Sequence, residues 1–309
     1  MVGSRFLLEE LVEEGGDGYV ITVDIRYTAL GDAVLPPFTS RVQKLLVHTA
    51  PCMAGVLQLY KSRSSFRPVR LTVLRGPSGR RLYQTLQAGR PAGPPLRVRG
   101  GETLSGSISI YTRGDPFRLA GELGGCTGRL PSPLDRLGFE VEGLSVERAR
   151  SLSAGVSSGR VELRIHTPLL VDTRVMAPPP LRRTRLLRFR QAYRLLPTPA
   201  YVVAAAARLW QALAGAEIHQ VVRAGYVAGR LADAMVAEVD YRLRPTTALY
   251  SGGPQGEARA ARGPTGWVVY EVLNPRLAPL LDRLLGLASR MGLGKSRSVG
   301  FGEVEASGA

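Results

Sequence analysis

The chain has 309 residues, 44% of them apolar, which is enough to bury a generous core and favours two domains over one. Its 41 basic and 25 acidic residues leave a formal charge of +16, an excess that points to nucleic acid or an anionic surface as partner. No run long and apolar enough for a membrane span occurs, and residues 1–14 are acidic rather than basic and then apolar, so a cytoplasmic protein with no membrane partner is expected.

Taken in chain order, residues 19–27 alternate apolar and polar side chains and predict a strand. After Leu35-Pro36-Pro37, Thr39 is placed to cap a helix reaching His48, in which Phe38, Val42, Leu45 and Leu46 gather on one face at about 100° per residue. Residues 69–74, 82–86, 96–98 and 105–111 read as strands punctuated by Gly and Pro, 115–123 as a short helix and 139–147 as a closing strand. The Ser/Gly-rich stretch 151–159 reads as a linker. The theme then recurs, with strands at 161–165, 229–241, 267–273 and 301–306 and helices at 199–213 and 277–290. The expected fold is α+β, two tandem ferredoxin-like (βαββαβ) domains spanning residues 1–150 and 160–309. Between the two repeats, the basic run Arg182 to Arg190 is open to two readings, a solvated segment or an RNA contact through Arg188 and Arg190.

Cys52 and Cys126 lie far apart with no His or Cys at ligand spacing, which supports neither a disulfide framework nor a zinc site. Asparagine occurs only at position 274; so sparing a use of a thermolabile amide fits a heat-loving source, as would a biased genome. Lysine occurs only at Lys44, Lys61 and Lys295. Against so much arginine, these are either compact point charges kept for phosphate or chance survivors.

Near the C-terminus, Met291-Gly-Leu-Gly-Lys-Ser-Arg-Ser-Val-Gly-Phe-Gly-Glu-Val304 places four glycines around Lys295, Ser296 and Arg297. Gly292, Gly294, Gly300 and Gly302 let another backbone come close, and the cations and hydroxyls suit a polyphosphate. Gly294-Lys295-Ser296 mimics the tail of a nucleotide-binding P-loop, but Ser289 stands where that motif needs glycine and the order is helix then strand, so that reading fails. A glycine-rich turn that binds nothing is the plain alternative.

The string GLGKSRSVGFGEVEA, preceded by a helix and a glycine-punctuated hairpin over residues 241–270, resembles the signature of the RAMP superfamily of CRISPR-associated proteins. Within that superfamily it is most similar to the endoribonucleases that cut precursor CRISPR RNA at its repeats. The resemblance is specific over about the last forty residues, through the G-x-G-x5-G-x-G spacing. It implies tandem ferredoxin-like domains, precursor CRISPR RNA repeats as partner, and cleavage with no metal or cofactor. It also implies attack by the ribose 2′-hydroxyl on the adjacent phosphate, leaving a 2′,3′-cyclic phosphate.

Such chemistry needs a base, an acid and a cation for the crowded phosphorane. The family's histidine in or just after the first helix corresponds to His48, with Lys44, Tyr60 and Lys61 as its helpers. By angular count His48 lies within about 40° of both Arg41 and Lys44. The second histidine of some members is missing, since residues 54–70 carry none. Read without the resemblance, His48 could equally neutralise the last carbonyls of its helix. Arg41, Gly292, Gly294, Lys295, Ser296, Arg297, Gly300 and Gly302 are the further expected RNA contacts. His166 is expected to pack and His219 belongs to no cluster. The rival reading is a subunit that holds guide RNA uncut beside other CRISPR interference subunits, a role that would not need the first-helix trio Arg41, Lys44 and His48.

Overall fold

A computed structural model describes residues 17–62, 66–156, 159–183, 192–252 and 258–309. The first half runs β1 (Tyr19–Ala29), α1 (Ser40–Thr49), α2 (Ala54–Tyr60), β2 (Val69–Leu71), β3 (Thr103–Thr112), α3 (Pro116–Leu123), β4 (Thr127–Arg129) and β5 (Leu137–Arg148). The second runs β6 (Arg160–Ile165), α4 (Pro199–Leu213), α5 (Ile218–Met235), β7 (Val236–Gly252), β8 (Ala258–Val272), α6 (Ala278–Met291) and β9 (Val304–Gly308). The first sheet has the order β2-β3-β1-β5-β4 and the second β7-β8-β6-β9, with every pair antiparallel. In both, the four strands of the βαββαβ unit stand in the order fourth, first, third, second, which is the expected ferredoxin-like arrangement, built twice.

The alternation in β1 does what its period requires: Ile21, Val23, Ile25, Tyr27 and Ala29 are all buried against the helices of the first half. In the second half, α5 departs from the expected strand at 229–241, because residues 218–235 are helical. Its glycines are packing positions rather than breaks. A Cβ on Gly225 would lie 2.5 Å from Arg208 Cγ, and one on Gly229 2.8 Å from the Ala200 carbonyl, so α5 presses directly onto α4. The hairpin of β7 and β8 is longer than expected, and β9 begins at Val304 rather than 301 because residues 301–303 join no ladder. Residues 82–86 form isolated bridges, Phe38 with Tyr83 and Thr85 with Ala248, instead of a continuous strand.

Cys52 and Cys126 are joined in a disulfide, contrary to expectation. Their separation of 74 positions carried no pairing signal, and the fold alone brings the segment before α2 beside the start of β4. Among the described residues, no helix is long and apolar enough to cross a membrane.

Buried charge joins the halves. Arg70 on β2 donates to the Ser289 and Arg290 carbonyls at 2.8 and 2.7 Å, satisfying the C-terminal end of α6. Glu303, 2% exposed, meets Arg81 at 2.8 Å, Arg75 at 3.2 Å and Arg70 at 4.0 Å. Burial works to raise its carboxyl, but Arg70, Arg81 and Arg75 outweigh it and hold the group below the usual carboxylate range. Glu303→Gln is expected to lower unfolding stability by about 3–5 kcal/mol in denaturant titrations, because it strands buried guanidinium groups, while Arg75→Ala at the wetter end of the cluster costs far less. Since the folded value lies below the unfolded one, this contribution is present at neutral pH and is lost as the pH falls through the folded value.

Candidate active site

Helix α1 buries Ser40, Val42, Gln43, Leu46 and Val47 and leaves Arg41, Lys44 and His48 exposed along one flank, as the helical period predicts. Thr39 occupies the N-cap position without capping through its side chain. Its hydroxyl instead donates to the Leu82 carbonyl at 2.6 Å and accepts from the Leu74 amide at 2.8 Å, seating the start of α1 on the strands beneath.

After α1 the chain turns through Pro51–Met53 into α2, whose last residue is Tyr60. This turn brings the Tyr60 ring edge-on to His48, with centroids 5.5 Å apart at 79°. Partial burial, then the charges of Lys44 and Lys61, lower the His48 pKa below its ordinary value. The four catalytic candidates His48, Lys44, Tyr60 and Lys61 therefore form one cluster, with its imidazole neutral and able to accept a proton at neutral pH. Tyr60 is buried, and its hydroxyl donates to the Ser298 carbonyl at 3.3 Å. Burial raises its phenol pKa, partly countered by Arg67, whose guanidinium lies 5.1 Å from the ring centroid. Arg67 was invisible as a site residue in the sequence, one arginine among many.

The glycine-rich loop is the floor of this cluster. It is pinned to α1 by a hydrogen bond from the Ser40 hydroxyl to the Val299 carbonyl and by Phe38 stacked on Phe301 with centroids 4.6 Å apart. The Thr167 hydroxyl donates to the Gly300 carbonyl at 2.9 Å. Gly300 (φ +98) and Gly302 (φ +64) are required by space as well as by angle: an added Cβ would sit 2.8 Å from Ser40 Cβ at the first and 1.8 Å from the Leu293 carbonyl at the second. Gly292 and Gly294 likewise have positive φ, and Ser296 stands exposed in the left-handed region.

The loop cations divide. Lys295 is accessible at its side chain and pairs with Asp172 at 2.7 Å. Arg297 turns inward: buried, it donates to the Met291 carbonyl at 2.7 Å and the Arg67 carbonyl at 3.2 Å, so it holds the loop against α6 instead of facing solvent. Burial, with Arg70 adding to it, lowers its guanidinium to about 10. Asp172 was missed by the sequence reading. Burial works to raise its carboxyl, but hydrogen bonds from Arg174 and Lys295 outweigh that and hold it far down. His166 Nε2 lies 3.1 Å from a Glu305 carboxylate oxygen and His219 Nδ1 lies 3.0 Å from one of Glu217, each a local contact apart from the His48 cluster. Arg188 and Arg190 lie outside the described residues. Among the described residues, no group of His, Cys, Asp or Glu could hold a metal ion.

Comparison with known proteins matches both halves. The profile of the Cas6 N-terminal domain covers residues 19–124, and that of the CRISPR-associated endoribonuclease Cas6 covers residues 163–304. Two relatives from Saccharolobus solfataricus, CRISPR-associated endoribonuclease Cas6 1 and Cas6 2, are 27% and 26% identical over 279 and 278 residues. Those alignments span 89% of this chain and 92% and 91% of the relatives. A solved Cas6 product complex shares the fold with a TM-score of 0.57 at 18% identity, covering 94% of this chain and 99% of that one. The Thermus thermophilus Cas6 does so with a TM-score of 0.56 at 15% identity, covering 94% and 98%. With profiles of one family matching its two halves in order and relatives aligned along nearly its whole length, the chain belongs to the CRISPR-associated endoribonuclease Cas6 family.

Proposed function

We propose that this protein cuts precursor CRISPR RNA at its repeats without metal, the 2′-oxygen attacking the adjacent phosphorus as the bond to the 5′-oxygen breaks. The products are a 2′,3′-cyclic phosphate and a free 5′-hydroxyl. The observation that carries this reading is the meeting of His48 and Tyr60 beside two lysines on the rim of the glycine-rich loop. His48 takes the proton of the 2′-hydroxyl. Lys44 and Lys61 stabilise the charge on the phosphorane, and either can protonate the departing 5′-oxygen. Tyr60, its hydroxyl committed to Ser298, holds the imidazole in place. Arg41, Lys295, Ser296 and the loop backbone at Gly292, Gly294, Gly300 and Gly302 bear on RNA phosphates, with Arg297 acting through the loop it anchors. The halves 1–150 and 160–309 form the two walls around the RNA.

In EDTA, the wild type is expected to cut repeat RNA, RNA with a 2′-deoxyribose at the cut site to resist, and His48→Ala to slow cutting by about two decades or more with little change in binding. Tight binding of intact repeat by the wild type would instead support the RNA-holding role. Because the lowered imidazole must be unprotonated to act, the single-turnover rate should fall on the acid side, below about pH 6.5, and stay level through neutral pH, and His48→Ala should lose that acid limb. Lys295→Ala should weaken binding to repeat and unrelated RNA alike and reduce the salt slope by about one. Gly302→Ala, which drives a Cβ into the Leu293 carbonyl, should lower the unfolding midpoint and slow cutting together.

A further inference from the structure

The loop that meets Tyr60 through Ser298 also walls a cavity of about 350 Å³ with Gly294, Lys295 and Arg297. Across the cavity lie the segment after β6, with Asp172 and Arg174, and helix α4, with Ala205, Arg208 and Leu209. Phe66, from the first half, also lines it. Two properties set this cavity apart from a packing gap. Four cations, Arg174, Arg208, Lys295 and Arg297, line it against one carboxylate, that of Asp172. Among the described residues Arg297 forms no ion pair, its buried guanidinium being met by carbonyl oxygens alone. A buried cation without a carboxylate is costly, and an anion entering the cavity would lower that cost. The rest of the wall is apolar or aromatic. Cations beside an aromatic and aliphatic wall suit a group with both a phosphate and a flat ring. The volume lies at the low end of ligand pockets, which run from about 300 Å³ upward, so it suits a single nucleotide and excludes a duplex.

We propose that this cavity receives one unpaired nucleotide of the bound RNA, its base against Phe66 and Leu209 and its phosphate towards Arg297 and Lys295. It thereby adds selection of a base to the contacts that the loop makes with phosphates. This deepens the repeat-cutting reading and rests on it. A free nucleotide offers the same chemistry, so the test separates the two sources.

Repeat RNA carrying an abasic site at each position in turn is titrated into His48→Ala protein and into His48→Ala with Ala205→Phe, which fills the cavity from α4. The expected result is one position where the abasic site weakens binding to the unfilled protein about tenfold. The filled protein should bind intact repeat about tenfold more weakly and lose nothing further at that position. An abasic scan that is the same in both proteins overturns the proposal. Phe66→Ala, which removes the aromatic wall without crowding the interior, repeats the comparison should the filled protein unfold early. Adenosine monophosphate is the second probe: if it raises the unfolding midpoint of the unfilled protein alone and no RNA position couples, the cavity serves a free nucleotide and the proposal falls. Cleavage of intact repeat by wild-type protein in EDTA is scored separately, so loss of the cavity's role and loss of the cutting reading are told apart.

Discussion

Residues 298–302 are wedged between two helices and a strand end with no room for a side chain at either glycine, and the arrangement around His48 depends on that contact. The Val299 carbonyl takes the hydroxyl of Ser40 at the start of α1, and the Ser298 carbonyl takes that of Tyr60 at the end of α2. One turn of backbone therefore sets the positions of both helices that carry the catalytic candidates. The loop belongs to the second half of the chain and the helices to the first, so the site exists only when the halves are docked. The buried cluster of Glu303 with Arg70, Arg75 and Arg81 lies one residue beyond the same loop and fastens that docking.

The charge of +16 is divided between two kinds of work. Several arginines are interior parts: Arg70, Arg208 and Arg297 are buried and donate to backbone carbonyls, which a planar fork of donors does well. The three lysines are placed differently. Lys44 and Lys61 bear on His48, and Lys295 stands on the loop itself with its side chain 45% exposed. A compact ammonium with no rigid hydrogen-bond demand can follow a phosphate as charge moves during reaction, while a guanidinium is better spent on fixed carbonyls.

The helical pair α4 and α5 packs closely through small residues that allow backbone-to-backbone approach. Gly225 and Gly229 fit against Arg208, Ala200 and Ala204, and the neighbouring Ala205 and Leu209 line the cavity beside the loop together with Arg208.

Much of this was legible in residue order. Alternation along residues 19–29 specifies a strand buried on one face, the 3.6-residue period places Arg41, Lys44 and His48 on one flank, and the spacing of four glycines marks a loop where backbones must come close. These are local properties, decided by the geometry of one element at a time. The tertiary structure alone decided that Arg297 turns inward while Lys295 stays accessible, that Asp172 meets both Lys295 and Arg174, that Cys52 reaches Cys126, and that residues 229–235 continue a helix. Each of those outcomes depends on which surface a neighbouring element covers. Burial leads the shifts of His48 and Arg297, and at Glu303 it is outweighed by charges far away in the chain, which no window of sequence contains.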